Sequence, residues 1–174
     1  MRNEHHFEVD LEWTGNRGTG TDHYRSYGRD HIVRVEAKHE ISGSSAPVFH
    51  GDRDRWNPEE LLIAALSQCH LLSYLHVAAA NGIVVLSYSD AAFGTIVTAA
   101  DDSGKFTSVT LRPLVTIAAA APEANSEANS GANAKANLDF ALALHHEASK
   151  KCFIAASVNF PVHHEPRVLM APRS

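Results

Sequence analysis

Phe7-Glu8-Val9-Asp10-Leu11-Glu12-Trp13 alternates apolar and acidic residues, the two-residue period of a half-buried strand. A second alternating run, Val33-Arg34-Val35-Glu36-Ala37, predicts another strand. Between them, residues 14–20 carry Gly15, Gly18 and Gly20, which is turn chemistry. Ser42-Gly43-Ser44-Ser45-Ala46-Pro47 then reads as a loop.

The pattern changes period at Asn57. Asn57 suits an N-cap, Pro58 the first helical position, and Glu60 the third position of a capping box. Leu61, Leu62, Ala65, Leu66, Cys69, Leu72, Ser73 and His76 recur at helical spacing, and Asn81-Gly82 supplies the stop. The spacing predicts a helix over 58–80, central and largely buried. Strands follow at 83–89, 92–98 and 106–117, with Asp101-Asp102-Ser103-Gly104 as a turn. A second helix is expected at 138–151 and a strand at 158–162. Strands in groups rather than in alternation with helices point to an α+β fold with antiparallel pairing. Residues 118–137 are almost all alanine, asparagine, serine and glutamate, with Glu123-Ala124-Asn125-Ser126 echoed by Glu127-Ala128-Asn129-Ser130. Alanine buries little and asparagine, serine and glycine weaken a helix, so this segment reads as a surface insertion without fixed structure.

Composition narrows the picture. The 174 residues fit a single domain, 1–174, and 44% hydrophobic content supports a core without metal or disulfide. The formal charge of −5 and the scattered basic residues give no nucleic-acid footprint. The start, Met1-Arg2-Asn3-Glu4-His5-His6, lacks the apolar region of a signal peptide, and the apolar stretches read as too interrupted for a membrane span. A cytoplasmic, reducing compartment is expected, where a permanent disulfide is unfavoured and a transient catalytic one is allowed.

Two cysteines, Cys69 and Cys152, stand far apart. They suit a reactive thiol and a resolving partner better than a structural staple. On an apolar helical stripe Cys69 could equally be a packed core residue. A reactive thiol must be ionised, and mid-helix the dipole helps little, so a cation is needed. Arg25 and Arg29 are the candidates, and Glu59 could orient either one. Twelve histidines raise the question of a metal. His5-His6, His145-His146 and His163-His164 are adjacent pairs whose members point in different directions, and no His-x-x-x-His or Cys-x-x-Cys spacing occurs, so no metal site is expected. His50, His70 and His76 read as structural, although His70 adjoins Cys69. Trp56, Tyr24 and Tyr27 could wall a pocket, whereas Phe49 and Tyr74 read as core or interface; residues 52–55 read as a charged turn.

Asn57-Pro58-Glu59-Glu60-Leu61-Leu62 with Cys69 ten residues after Glu59, and the late run Cys152-Phe153-Ile154-Ala155-Ala156-Ser157-Val158, resemble the OsmC/Ohr family of thiol peroxidases. The resemblance spans roughly 33–162. It implies an α+β fold in which strongly curved antiparallel sheets pack around long central helices of an intertwined homodimer. By the same resemblance Cys69 is the peroxidatic thiol, Cys152 the resolving thiol, and Glu59 the family glutamate. Gly28-Arg29-Asp30 matches the family's Gly-Arg-Asp, which favours Arg29 over Arg25 as the assisting arginine. Two departures, Ser149 where the family commonly has histidine and His70 directly after Cys69, suggest a side branch.

The implied activity is reduction of organic hydroperoxides, with hydrogen peroxide a further substrate, in oxidative or osmotic stress defence. Cys69 thiolate becomes a sulfenic acid, condenses with Cys152, and an external dithiol, often a dihydrolipoyl protein in the family, restores both thiols. No bound cofactor or metal is required. The competing expectation is a non-enzymatic protein of the same fold that binds a small molecule or senses redox state.

Overall fold

A computed structural model of the chain describes residues 3–119 and 130–172. The chain divides into two compact units, Met1–Leu62 and Ile63–Ser174. The boundary falls inside a continuous helix, a position that no shift in composition marks.

In the first unit, β1 (Asp10–Trp13), β2 (His31–Arg34) and β3 (Ile41–Gly43) form an antiparallel sheet in that order. Leu11 faces Val33 and Trp13 faces His31. The second strand ends earlier than the alternation suggests, because Lys38 N donates to Val35 O and Ala37 takes a φ of 60°, turning the chain back into β3. The long β1–β2 connection closes on itself. Thr14 N donates to Asp30 O at 2.8 Å, Gly28 N to Gly15 O at 2.8 Å, and Trp13 Nε1 to Gly28 O at 2.8 Å. A Cβ on Gly15 would lie 2.0 Å from Gly28 O, so only glycine fits this approach.

Helix α1 (Pro58–Ala80) begins and ends where its caps predict. Glu60 N donates to Asn57 Oδ1 at 2.8 Å and Asn57 N reaches Glu60 Oε2 at 3.4 Å, a reciprocal capping box. At the other end Gly82 has a φ of 73°, with Ile83 N bonded to Ala78 O and Gly82 N to Ala79 O, which satisfies the last carbonyls.

The second unit holds two three-stranded sheets. β4 (Val85–Asp90), β7 (Pro113–Ile117) and β9 (Arg167–Met170) form one; β5 (Phe93–Thr98), β6 (Gly104–Leu111) and β8 (Val162–His164) form the other. Their breaks align: Asp90 faces Pro113 on one side, and Phe93 faces Thr110 on the other. The run predicted as one strand over 106–117 is therefore interrupted at Arg112. Arg112 N donates to Asp90 Oδ1 at 2.7 Å, its Nε to Glu165 Oε2 at 2.8 Å, and Glu165 N to Leu111 O at 2.9 Å, so side chains tie the bend where the ladders stop. Pairing is antiparallel for β4–β7 and β5–β6 but parallel for β6–β8 and β7–β9. The last strands also start only at Val162, the final residue of the expected 158–162, whose Val158 and Phe160 instead pack from outside any strand.

Both sheets cover α1. Leu66 packs with Val109, Leu111 and Phe106, while Tyr74, Val77 and Ala78 pack with Val115, Ile117 and the second helix. The buried face is thus Leu66, His70, Tyr74, Val77 and Ala78, of which Leu66 alone belongs to the predicted stripe. Nor is α1 largely buried: Leu72 is 66% exposed. An 18-residue window of α1 has a mean hydropathy of 1.5, so by length and composition it is apolar enough to cross a membrane, as core helices also are. This corrects the expectation that the apolar stretches are too short and interrupted.

Helix α2 (Ser130–Lys150) starts eight residues before the predicted 138. The expected unstructured insertion at 118–137 is thus wrong for 130–137, and its residues 120–129 lie outside those described. Once Leu138, Ala141, Leu144 and Ala148 anchor the helix, adding alanine-rich turns at its start needs only propagation, not nucleation. Helix α3 (Phe153–Ala156) follows directly.

Candidate active site

Helix α1 presents Cys69 one residue before the buried His70, and Cys69 is partly exposed. Cys152 is 1% exposed and caps α3, its Sγ accepting from Ala155 N at 3.4 Å. The two cysteines are close enough for Cys69 to perturb the Cys152 thiol. Residues 83 positions apart in sequence thus form one pair, in the second unit. Burial, then the hydrogen bond and charge of Cys69, push the Cys152 thiol up to about 11. The pair is asymmetric: a partly exposed Cys69 and a buried Cys152 that holds its proton more tightly.

Arg29 belongs to the first unit and is committed there. Its Nη1 donates to Tyr27 O and its Nη2 to Tyr24 O, both at 2.7 Å. Its guanidinium lies 4.2 Å from the Tyr27 ring centroid and 4.5 Å from that of Tyr24. Tyr24 and Tyr27 are thus ligands of the arginine. Arg25 is exposed and only its backbone N is bonded, to His23 Nδ1. Arg55, assigned to a charged turn, lies 3.6 Å from Asp30.

Glu59 stands on the first turn of α1, and its Oε2 is buried without a hydrogen-bond partner among the described residues. Ten residues of helix, about 15 Å, separate it from Cys69 of its own chain. The helix itself therefore keeps Glu59 away from that sulfur.

A second constellation was not read from the sequence. His70 of α1, His145 of α2 and His164 of β8 meet inside the second unit. His70 Nε2 and His145 Nδ1 are 3.0 Å apart, and Tyr74 stacks on His145 at 3.9 Å. Burial, before any other cause, holds His70 down to about 3 and His145 down to about 4. One member of two of the three adjacent pairs turns inward, while His146 and His163 remain exposed, as do His5 and His6. The available signal was register: His70 falls four residues from Leu66 and from Tyr74, and His145 four from Ala141 and three from Ala148. Among the described residues, no group of three or more His, Cys, Asp or Glu could hold a metal ion.

Comparison with known proteins covers almost the whole chain. Residues 50–167 match the family model for OsmC-like protein. No curated protein matches the chain. An OsmC-like protein of unknown function from Vibrio cholerae shares 27% identity and a TM-score of 0.75, covering 94% of this chain and 99% of its own. An organic hydroperoxide resistance protein from Elizabethkingia anophelis has a TM-score of 0.62 at 15% identity, covering 97% and 100%. One from Legionella pneumophila has a TM-score of 0.62 at 16% identity, covering 95% and 98%. The α+β architecture is that of OsmC/Ohr structures, and the match over 50–167 makes this chain a member of the OsmC-like protein family.

Proposed function

We propose that this protein is a thiol peroxidase that reduces organic hydroperoxides, in peroxide stress defence. One observation carries the reading: a partly exposed cysteine and a buried one, brought from distant parts of the chain close enough for Cys69 to perturb the Cys152 thiol. The Cys69 thiolate attacks the terminal peroxide oxygen, the O–O bond breaks, and the departing alkoxide takes a proton to leave as alcohol. Cys69 then carries the sulfenic oxygen. The Cys152 thiolate attacks the Cys69 sulfur, water leaves, and the Cys69–Cys152 disulfide forms. Two thiols of an external dithiol, for which a dihydrolipoyl protein is the family precedent, reduce it by exchange.

The same reading takes the protein as a cytoplasmic homodimer that acts without nucleic acid or membrane. Leu72, at 66% exposed on α1, supports a covering partner subunit. Because the helix holds Glu59 about 15 Å from its own Cys69, each site would combine Cys69 and Cys152 of one subunit with Arg29 and Glu59 of the other. The test is steady-state consumption of tert-butyl hydroperoxide with a dithiol donor, for wild type, Cys69→Ser and Cys152→Ser. Turnover that needs Cys69 is expected. A single stoichiometric oxidation, with no turnover by any dithiol, would replace this reading with redox sensing.

A further inference from the structure

Four rings form a column through the second unit. Tyr74 and His145 have centroids 3.9 Å apart, His145 and His70 5.3 Å, and His70 and His164 4.4 Å. The column joins α1, α2 and β8. Besides the imidazole pair, Tyr74 Oη donates to Ala141 O at 3.1 Å, so the polar bonds from α1 to α2 converge here.

The proton inventory leaves no place for a charge. When His70 and His145 are both neutral, one donates to the other across 3.0 Å. Among the described residues, His70 Nδ1, His145 Nε2 and His164 Nε2 are buried without partners. One added proton would turn both outer nitrogens of the pair into unpaired N–H donors of a cation. A second would set two N–H donors against each other at the central bond. The facing groups offer little relief: Tyr74 from α1, His146 from α2, His163 from β8, Tyr88 and Asp90 from β4. Tyr88 Oη is itself buried without a partner. Asp90, a carboxylate acting on the cluster, raises His164 and is occupied by Ser67 Oγ at 2.6 Å and Arg112 N at 2.7 Å.

We propose that the histidine column is an acid-sensitive latch, which holds α2 on α1 while neutral and releases α2, and Cys152 with it, when protonated. Cys152 follows the end of α2 by two residues, so its place beside Cys69 depends on how α2 is seated. The direction follows from the folded-state values, about 3 for His70 and about 4 for His145, both below the ordinary 6.5. The released state therefore binds more protons, and docking present above 6.5 weakens as pH falls through the window from 6.5 toward 4. The latch stands on the packing of the three elements and does not require peroxidase activity.

The test is amide hydrogen exchange of the full chain at pH 7.5 and at about pH 4.5, corrected for intrinsic exchange, in wild type and His70→Gln/His145→Asn. The variant keeps a polar atom near each end of the central bond but cannot take up a proton. In wild type, peptides covering residues 138–150 should lose protection at least about tenfold in acid while those from β6 and β7 keep theirs. A pyridyl disulfide reagent, which reacts with thiols in acid, should label Cys152 faster by a similar factor. The variant should show neither change. Unchanged protection in acid, equal loss in α2 and in the sheet, or an acid response retained in the variant would overturn the latch. Should the variant fail to fold, ring-nitrogen NMR of wild type decides it: protonation of His70 and His145 must coincide with α2 loosening, and protonation without loosening refutes the proposal.

Discussion

If Cys152 resolves a sulfenic acid on Cys69, its burial makes a kinetic prediction that pH can test. At pH 7 a thiol with a pKa of about 11 is ionised in about one molecule in ten thousand, against about one in a hundred at the ordinary 9.0. If attack on the sulfenic acid requires the Cys152 thiolate, burial slows closure by up to about a hundredfold. That factor is an upper bound, because the part contributed by the Cys69 hydrogen bond and charge changes once Cys69 carries oxygen. Desolvation, the largest cause, persists. Closure should then accelerate about tenfold per pH unit from pH 6 to pH 9 with no plateau. The assay is rapid mixing with excess peroxide, so that Cys69 oxidation is not limiting. Acid quenching, alkylation and mass spectrometry then count the Cys69–Cys152 disulfide. In Cys152→Ser the sulfenic acid should persist across this range and be trapped by dimedone. A closure rate that is flat over this range, or that levels off near neutrality, would refute the reasoning and imply that Cys152 loses its proton to a base or ionises far more readily than its burial allows.

Three further outcomes are expected. Asn57→Ala removes the side-chain half of the capping box and should lower stability by about 1 kcal/mol, read from the denaturant midpoint at constant slope. Leu66→Ala empties a fully buried site against Val109 and Leu111 and should cost about 2–5 kcal/mol; a loss well under 1 would show that the packing there is loose. Co-refolding Cys69→Ser chains with Glu59→Ala chains should restore one working site per heterodimer, and no activity in verified heterodimers would place the action of Glu59 within its own chain or nowhere.

The sequence signals differ in what they could reveal. The bounds of α1 were legible because Asn57, Pro58, Glu60 and Gly82 act locally, each through backbone groups within a turn. Its buried face was not, since apolar residues surround the helix and periodicity cannot rank its sides. The break at Arg112 depends on Asp90 and Glu165, which are distant in sequence, and the parallel pairing of β8 and β9 on strands laid down about fifty residues earlier. The start of α2 was misplaced because composition measures how well a segment stands alone, whereas 130–137 extend a helix anchored elsewhere. The two cysteines were identifiable by scarcity, and the structure adds their proximity. The histidine column draws one histidine from each of three elements; register marks His70 and His145 as inward, but no spacing rule brings them to His164.

In the proposed cycle Cys152 would do two jobs with one sulfur, and they conflict. As the cap of a four-residue helix it offers its lone pair to Ala155 N; as a partner to Cys69 it must turn that sulfur toward another atom. A helix of one turn has almost no internal reserve, so losing its cap should let it fray. Oxidation would then be written into the backbone as well as into a covalent bond. A reductant could distinguish spent from ready molecules by a softened turn at Phe153, already 81% exposed, before touching either sulfur.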